Sequence, residues 1–493
     1  MFYWPLDQPL IKALLFFLLG GICSWLIELP YGGWLLIGGL ALFIHLIFKE
    51  KKCFSYSWIF SLGYFCNALW WIFISLHDVG KITAPISALA VVALSAYLAL
   101  FPASAFKLAH SFHSSAARVL GLASAWVLFE WLRGQLFTGF PWAGLAESQV
   151  DGPFFGWAGI FGGLGCAWFC VGLATYLSES KHGLFTKFVA SLTIISGSHV
   201  LGLISFTEPI GRPISVTLLQ GNFPQALKFD PDYVLEQVGF YQNSIKNSNT
   251  QLVIAPETAI PVEIKQLNDE LLDGLRPKTP NKSVILGAVS RNSNGLPTNS
   301  AIGLNQSKLI YQYDKSHLVP FGEFIPWGFQ WFIDLFKVPL GNFGRGSNEQ
   351  LPFILEQSTE QISIGLMICY EDVFGNELAK RQKTSLIPHH LWVNLTNLAW
   401  FGESNAPDQQ LRLARLRSIE TGIPTLRATN TGVTAAIDHQ GQIINELPKF
   451  EQGILKTEIQ AYQGKTPYVW LGDLPILIIS GLLMIWARRQ NKK

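Results

Sequence analysis

Three residues with side chains suited to covalent chemistry each follow directly on a short apolar run. Ile362-Ser-Ile-Gly-Leu-Met-Ile368 stops at Cys369, which is followed by Tyr370, Glu371 and Asp372; Leu252-Val-Ile-Ala255 leads to Pro256-Glu257; Lys308-Leu-Ile-Tyr-Gln-Tyr313 leads to Asp314-Lys315. Apolar, β-branched runs of this length, bounded by polar residues, predict buried strands. In α/β sheets the carboxyl ends of such strands form the crevice where chemistry is placed. A thiol, a carboxylate and an ammonium at three strand ends make a coherent set: Cys369 as nucleophile, Glu257 as general base and Lys315 as electrostatic stabiliser. The residues after Cys369, Val373 to Arg381, predict a helix with Glu371 and Asp372 in its first turn, so that Cys369 stands beside a helix N-terminus that favours a thiolate or an oxyanion. Singly, each residue has a plainer reading, because an apolar-flanked cysteine is usually a core filler, Glu257 a solvated loop acid and Lys315 a surface cation. The conjunction of the three carries the signal.

The rest of the chain says where this set stands. Only 14% of the 493 residues are charged, against about 25% in an ordinary soluble domain, and mean hydropathy is +0.28. The deficit is uneven: residues 1–206 are nearly charge-free, whereas 207–467 carry normal numbers of Lys, Glu, Asp and Asn. Runs approaching the ~20 residues needed to cross a bilayer fall at Leu10–Leu29, Trp34–Phe48, Ser57–Leu76, Ala88–Phe106, Val119–Phe137, Trp157–Leu177, Leu184–Phe206 and Val469–Trp486. The expected organisation is a membrane domain over 1–206 with seven transmembrane helices, a polar domain over 207–467, and a last transmembrane helix with a basic tail over 468–493. Lys49, Lys51, Lys52, Lys107, Arg118, Lys181, Lys187, Arg488, Arg489, Lys492 and Lys493 fall on one side of an eight-pass arrangement, against Lys81 and Arg133 on the other. By the excess of basic residues in cytoplasmic loops, the polar domain faces outward, into a periplasm or its equivalent. The first segment lacks a basic lead and a small-residue cleavage site and reads as a retained helix. A net charge of +2 gives no sign of a nucleic-acid partner.

Of six cysteines, Cys23, Cys53, Cys66, Cys166 and Cys170 lie in or beside the apolar segments, and Cys369 is alone in the polar domain. An unpaired thiol on the oxidising side of a membrane is a liability unless it is buried or employed. Within the polar domain, strand candidates at Ile214–Gln220, Leu252–Ala255, Ser283–Gly287, Lys308–Tyr313, Ser363–Ile368 and Leu391–Leu395 alternate with helical patterns at Asp232–Lys246, Ile264–Leu275 and Asp408–Thr421. This alternation predicts an α/β domain. No Walker-type or dinucleotide glycine fingerprint is present, and nothing demands a cofactor. Cys166 and Cys170 read as packing residues, and the adjacent His389 and His390 would point to opposite faces of a strand, so no metal site is expected.

Pro256-Glu257-Thr-Ala-Ile-Pro261, Asp314-Lys315-Ser-His-Leu-Val-Pro-Phe-Gly-Glu323-Phe-Ile-Pro326 and Cys369-Tyr370-Glu371 resemble the three catalytic signatures of the nitrilase (carbon–nitrogen hydrolase) superfamily and, within it, those of the apolipoprotein N-acyltransferases. Glu130-Trp-Leu-Arg133 with Thr138-Gly-Phe-Pro-Trp142 resembles that family's membrane-domain signature, Leu219-Gln-Gly-Asn-Phe-Pro-Gln225 the start of its second domain, and Trp400-Phe-Gly402 with Arg427-Ala-Thr-Asn-Thr-Gly432 its later loops. The resemblance implies an α-β-β-α sandwich on a membrane base of about eight helices in the inner membrane. It implies transfer of an acyl chain from a phospholipid, phosphatidylethanolamine above all, through a Cys369 thioester to the terminal amine of diacylglyceryl-cysteine lipoproteins. Glu323, Tyr370 and Glu371 look like the family's supporting pocket residues, with Glu323 suited either to orient Lys315 or to hold its loop through backbone hydrogen bonds. Phe321, Phe324, Trp327, Phe329, Trp331 and Phe332 form an aromatic stretch suited either to a bilayer interface or to packing on the membrane helices. Glu130 and Arg133 would sit near the outer end of their helix, within reach of headgroups. The chain departs from the family pattern at Phe229, often Trp, at Leu398, usually Asp, and at Gln410, often His; the last two are expected not to touch the triad. Two other readings fit the same residues: a membrane-tethered amidase, in which water resolves the thioester, and a non-catalytic lipid-binding or transport protein.

Overall fold

The computed structural model describes residues 8–179, 181–228, 230–267, 269–279, 281–292, 294–306, 311–328, 330, 342–357 and 360–490. The chain forms two compact units, one drawn mainly from residues before 205 and after 470, the other from 205–470.

The first unit is built of the helices α1 (Pro9–Leu26), α2 (Gly32–Ile47), α3 (Cys53–Ala68), α4 (Ala84–Ala109), α5 (Ser115–Arg133), α6 (Ala158–Ser178), α7 (Leu184–Gly202) and, after the second unit, α12 (Leu474–Gln490). Their apolar side chains face outward as much as inward: on α7, Ser198 is the only buried residue, while Leu184, Phe185 and Phe188 are 65–88% exposed. In water such a surface would drive association, whereas lipid tails solvate it without penalty. Among the described residues five helices are long and apolar enough to cross a bilayer, and up to six if α3 and its continuation Trp71–Val79, bent by 53°, are one span. The chain is therefore a multi-pass membrane protein. The expected second segment is a helix of only 16 residues, shorter than the ~20 a perpendicular span needs.

Close helix packing in this unit depends on glycine. A Cβ on Gly20 of α1 would stand 1.9 Å from the Phe60 carbonyl oxygen of α3, and one on Gly63 would stand 2.0 Å from that of Phe17. The two backbones touch because neither has a side chain at the crossing, the usual device where burial of apolar area cannot drive association. Gly63→Leu should force α1 and α3 apart and cost roughly 1–3 kcal/mol, the usual range for overpacking; a lowered unfolding temperature of the detergent-solubilised protein checks this.

The second unit is an α/β sandwich. One seven-stranded sheet has the order β13-β1-β2-β4-β5-β6, with β3 also paired to β4; its strands are β1 (Thr207–Gln220), β2 (Leu252–Ile254), β3 (Ile260–Glu263), β4 (Ser283–Arg291), β5 (Pro297–Leu304), β6 (Tyr311–Asp314) and β13 (Gly453–Gly464). A six-stranded sheet has the order β12-β11-β10-β9-β8-β7, from β7 (Phe353–Glu356), β8 (Gln361–Ile368), β9 (Leu391–Thr396), β10 (Thr425–Thr429), β11 (Ala435–Ile437) and β12 (Ile443–Glu446). Between the sheets lies one core to which both contribute, among others through Val216, Leu218 and Ile285 on one side and Ile364, Leu366, Val393 and Leu426 on the other. The outer face of the first sheet is covered by α8 (Pro231–Asn247) and α9 (Asp269–Leu275), through Val238, Tyr241, Ile245 and Leu275. The outer face of the second is covered by α10 (Gly375–Thr384) and α11 (Ala406–Thr421), through Leu378, Leu411 and Ala414. The layers are α-β-β-α.

Parallel pairs lie at the centre of each sheet, β2 with β4 in one and β8 with β9 with β10 in the other. Their carboxyl ends lead to Glu257, Cys369 and Asn397. One expectation changes here. Glu371 and Asp372 lie in a 3₁₀ turn, Cys369–Val373, and the α-helix begins only at Gly375. Phe374, at φ −99° and ψ 85°, interrupts the two. Cys369 thus opens a tight turn instead of preceding a long helix.

Candidate active site

Cys369 follows β8 and is half-buried. Its φ is +52°, a left-handed conformation few non-glycine residues adopt, and the surroundings hold it there. Its carbonyl oxygen accepts hydrogen bonds from Asn394 Nδ2 at 3.2 Å and Gln410 Nε2 at 3.0 Å. The same Nε2 also donates to Asp372 Oδ1 at 3.1 Å, while Arg427 donates to Asp372 Oδ2 at 2.7 Å and to Gln410 Oε1 at 2.6 Å. Asp372 and Arg427 are fully buried and paired with one another. Gln410 was expected to stand clear of the catalytic set; it instead grips the backbone of the cysteine. A carboxamide suits this place, because one end donates to the Cys369 carbonyl and the other accepts from Arg427.

Glu257 follows β2 and is buried. Asn299 Nδ2 donates to its Oε1 at 2.6 Å and the Asn397 backbone N–H to its Oε2 at 2.8 Å. The approach requires Gly287 of β4, where a Cβ would lie 2.6 Å from Glu257 Cα and 2.4 Å from the Thr258 nitrogen. Lys315 follows β6 and is 1% exposed. Its Nζ lies 2.9 Å from both oxygens of Glu323. Glu323 also accepts from Asn299 Nδ2 at 3.0 Å and from the Val319 N–H at 2.8 Å. Glu323 thus contacts both the Lys315 ammonium and the backbone of its own loop, and Asn299 joins the two carboxylates. Asn299, on β5, went unnoticed in the sequence because its surroundings, Pro297-Thr-Asn-Ser-Ala-Ile-Gly, carry no catalytic spacing.

Glu371 is buried and does a different job from lining a pocket. It accepts from the Ile368 N–H at 2.7 Å, the Ser316 N–H and Oγ at 2.7 Å, the His317 N–H at 3.1 Å and Tyr313 Oη at 3.0 Å. It ties the residues after Lys315 to the residue before Cys369. Tyr370 is buried too, edge-on to Phe374 with ring centroids 5.1 Å apart.

The electrostatics bring the set together. Burial pushes the Cys369 thiol well above its usual range; the Glu257 carboxylate adds to this, and the Lys315 ammonium opposes it. Burial alone would pull the Lys315 ammonium down, but Glu323, Glu257 and Cys369 outweigh it and raise it, so Lys315 stays charged. Lys228, at the end of the turn Gln225–Leu227, is a second cation in this field: burial lowers it, against the pull of Glu257, Cys369 and Glu323.

The remaining expected residues are placed as follows. Trp327 is 95% exposed and Phe321 is partly exposed with φ +61°; Phe229, Phe329, Trp331 and Phe332 lie outside the described residues. Leu398 is buried, its N–H bonded to the Thr431 carbonyl. Arg133 is turned inward in the first unit, donating to the Phe140 and Trp142 carbonyls at 2.7 Å, and Glu130 accepts from Trp126 Nε1 at 2.6 Å. Arg133 thus fastens the loop after α5 through two carbonyls. His389 is buried against Trp392, with burial holding its imidazole down to about 3, and His390 bonds to Ser363. No group of three or more metal-ligating side chains occurs among the described residues.

The sandwich matches the family model for carbon-nitrogen hydrolases over residues 215–468, and residues 20–176 match that for the apolipoprotein N-acyltransferase N-terminal domain. A carbon–nitrogen hydrolase superfamily protein from Xanthomonas campestris of known structure is 17% identical, with a TM-score of 0.35 over 50% of this chain and 91% of its own. The two family models define the class: a carbon–nitrogen hydrolase domain in one chain with a membrane-spanning unit. Two curated apolipoprotein N-acyltransferases extend the likeness to nearly the whole chain: that of Ralstonia nicotianae is 38% identical over 93% of this chain and 90% of its own length, and that of Bordetella bronchiseptica is 35% identical over 90% and 89%. This chain belongs to the apolipoprotein N-acyltransferase family.

Because the Glu257 carboxylate opposes ionisation of Cys369, Glu257→Gln should move the pH midpoint for alkylation of this thiol downward. Iodoacetamide labelling across pH, read on the Cys369 peptide by mass spectrometry, checks the sign; an unchanged or higher midpoint would show that the two groups do not share a field.

Proposed function

We propose that Cys369, Glu257 and Lys315 carry the acyl transfer of this membrane enzyme. The observation that supports this most directly is that a buried carboxylate after β2 and a buried ammonium after β6, joined through Asn299 and Glu323, share one electrostatic field with a half-buried thiol held at positive φ. Glu257 takes the thiol proton, and the thiolate sulfur bonds to the ester carbonyl carbon of a phospholipid. Lys315 faces the oxyanion that forms, held charged by Glu323, in a site poor in water where such stabilisation is strongest. The ester C–O bond then breaks, the glycerol oxygen receives the proton from Glu257, and a lysophospholipid leaves an acyl thioester on Cys369. The free α-amine of a diacylglyceryl-cysteine lipoprotein attacks the thioester. Glu257 accepts the amine proton and returns it to sulfur as the C–S bond breaks, giving an amide and the original thiol. Atoms balance without water or a cofactor, and the two half-reactions share one site, which is ping-pong chemistry.

The donor is assigned as phosphatidylethanolamine, and the enzyme to the inner membrane with residues 207–467 in the periplasm, between a membrane domain over 1–206 and a last helix with its basic tail over 468–493. The distribution of Lys and Arg among the loops supports that orientation. The exposed Trp327 suits contact with the bilayer interface through an aromatic arm.

Transfer from phosphatidylethanolamine to a diacylglyceryl-cysteine peptide, followed by product mass, is the test. Cys369→Ala should abolish it; Glu257→Gln should lower kcat about 10²–10⁴-fold as expected for loss of a general base, and Lys315→Met about 10²–10³-fold for loss of an oxyanion partner. Double-reciprocal plots against both lipids should be parallel. Transfer that survives in Cys369→Ala would contradict the covalent route, and release of free fatty acid in place of amide would favour the amidase reading.

A further inference from the structure

Two residues after Lys315 lies a buried polar side chain that the proposed reaction does not use. His317 is 7% exposed. Its ring stacks on Phe374 with centroids 3.7 Å apart and a 19° interplanar angle, and stands edge-on to Tyr370 at 5.8 Å. Nδ1 lies 2.9 Å from Glu377 Oε1. A carboxylate only accepts, so the proton sits on Nδ1. Nε2 is buried with no hydrogen-bond partner among the described residues, so Glu377 is the ring's polar anchor.

All three partners belong to the segment that leaves Cys369. Tyr370 is the next residue, Phe374 closes the 3₁₀ turn, and Glu377 is in the first turn of α10. The Lys315 loop therefore meets the cysteine-bearing segment twice. Glu371 holds its backbone at Ser316 and His317, and His317 holds it through a side chain. The first tie fixes where the loop passes. The second resists its rotation about that point, and with it the aim of the Lys315 ammonium toward Cys369. An error of about 1 Å in such a group can cost ~10²-fold in rate. An apolar residue would fill the gap between Phe374 and Tyr370 without needing Glu377, so the imidazole supplies more than volume.

We propose that His317 is a positioning residue that, bonded to Glu377 and stacked on Phe374, holds the Lys315 ammonium against Cys369. This rests on the catalytic reading of Lys315 and Cys369 given above.

Two readouts on the full-length protein in detergent test it. In single-turnover acylation by phosphatidylethanolamine, His317→Leu should be at least tenfold slower with donor KM unchanged. His317→Asn, whose Nδ2 can take the place of Nδ1, should recover to within about threefold of native. Glu377→Ala, a change at a half-exposed side chain, should match His317→Leu, and the double variant should be no slower than either. In the second readout, iodoacetamide labelling of Cys369 across pH, loss of the aimed cation should raise the midpoint in His317→Leu and Glu377→Ala and leave it native in His317→Asn. Equal behaviour of the Leu and Asn variants, or native rates and midpoints in Glu377→Ala, would overturn the proposal. If the native enzyme itself forms no acyl adduct, the acyl-transfer reading fails, while the labelling midpoints still decide whether His317 aims Lys315.

Discussion

Everything at the site depends on the buried carboxylate of Glu371. Taking a charge out of water costs several kcal/mol unless its lone pairs are filled, and here backbone and hydroxyl donors from three places fill them: Ile368 at the end of β8, Ser316 and His317 after Lys315, and Tyr313 on β6. Because β6 and β8 belong to different sheets, the same bonds that satisfy the charge also fix one sheet's strand end against the other's. The placing of the Lys315 loop against the end of β8 is in this way a by-product of satisfying a buried ion.

A second buried charge serves the cysteine from beneath. Asp372 and Arg427 neutralise one another, and Gln410 links them to the Cys369 carbonyl. The left-handed backbone at Cys369 is unfavourable locally, and these bonds oppose its relaxation. Above the cysteine, two carboxylates and two ammonium groups, Glu257, Glu323, Lys315 and Lys228, lie within one field. Asn299 bridges Glu257 and Glu323 at 2.6 and 3.0 Å, holding both side chains by donation. In the proposed proton transfer from Cys369 to Glu257 one negative charge replaces another, so the net charge of the buried cluster, thiolate included, would not change.

The sequence disclosed the ends of β2, β6 and β8, because those strands are buried, apolar and stop at a residue with obvious chemistry. Helices α8 and α11 were equally legible from their periodicity. The second half of the sandwich was harder to read. β13 alternates weakly between half-buried and exposed positions, and it acquires its strand character only from antiparallel pairing with β1, some 240 residues earlier in the chain, as between Leu218 and Leu455. Asn299, Gln410 and Lys228 were illegible as site residues for a related reason: their roles arise from distances between segments far apart in sequence. Two acids after Cys369 predict one helix from the first turn onward, whereas Glu371 caps only a short 3₁₀ turn through the Ile368 N–H and spends its other lone pairs on Tyr313, Ser316 and His317.

The account stands or falls on a covalent acyl group at Cys369. The most direct measurement is the intact mass of the purified protein after incubation with phosphatidylethanolamine alone under reducing conditions, beside Cys369→Ala. A fatty-acyl mass increment on the native chain, absent from the variant and discharged by a diacylglyceryl-cysteine peptide, is the predicted result. No increment on the native protein, or an equal one on Cys369→Ala, would contradict it.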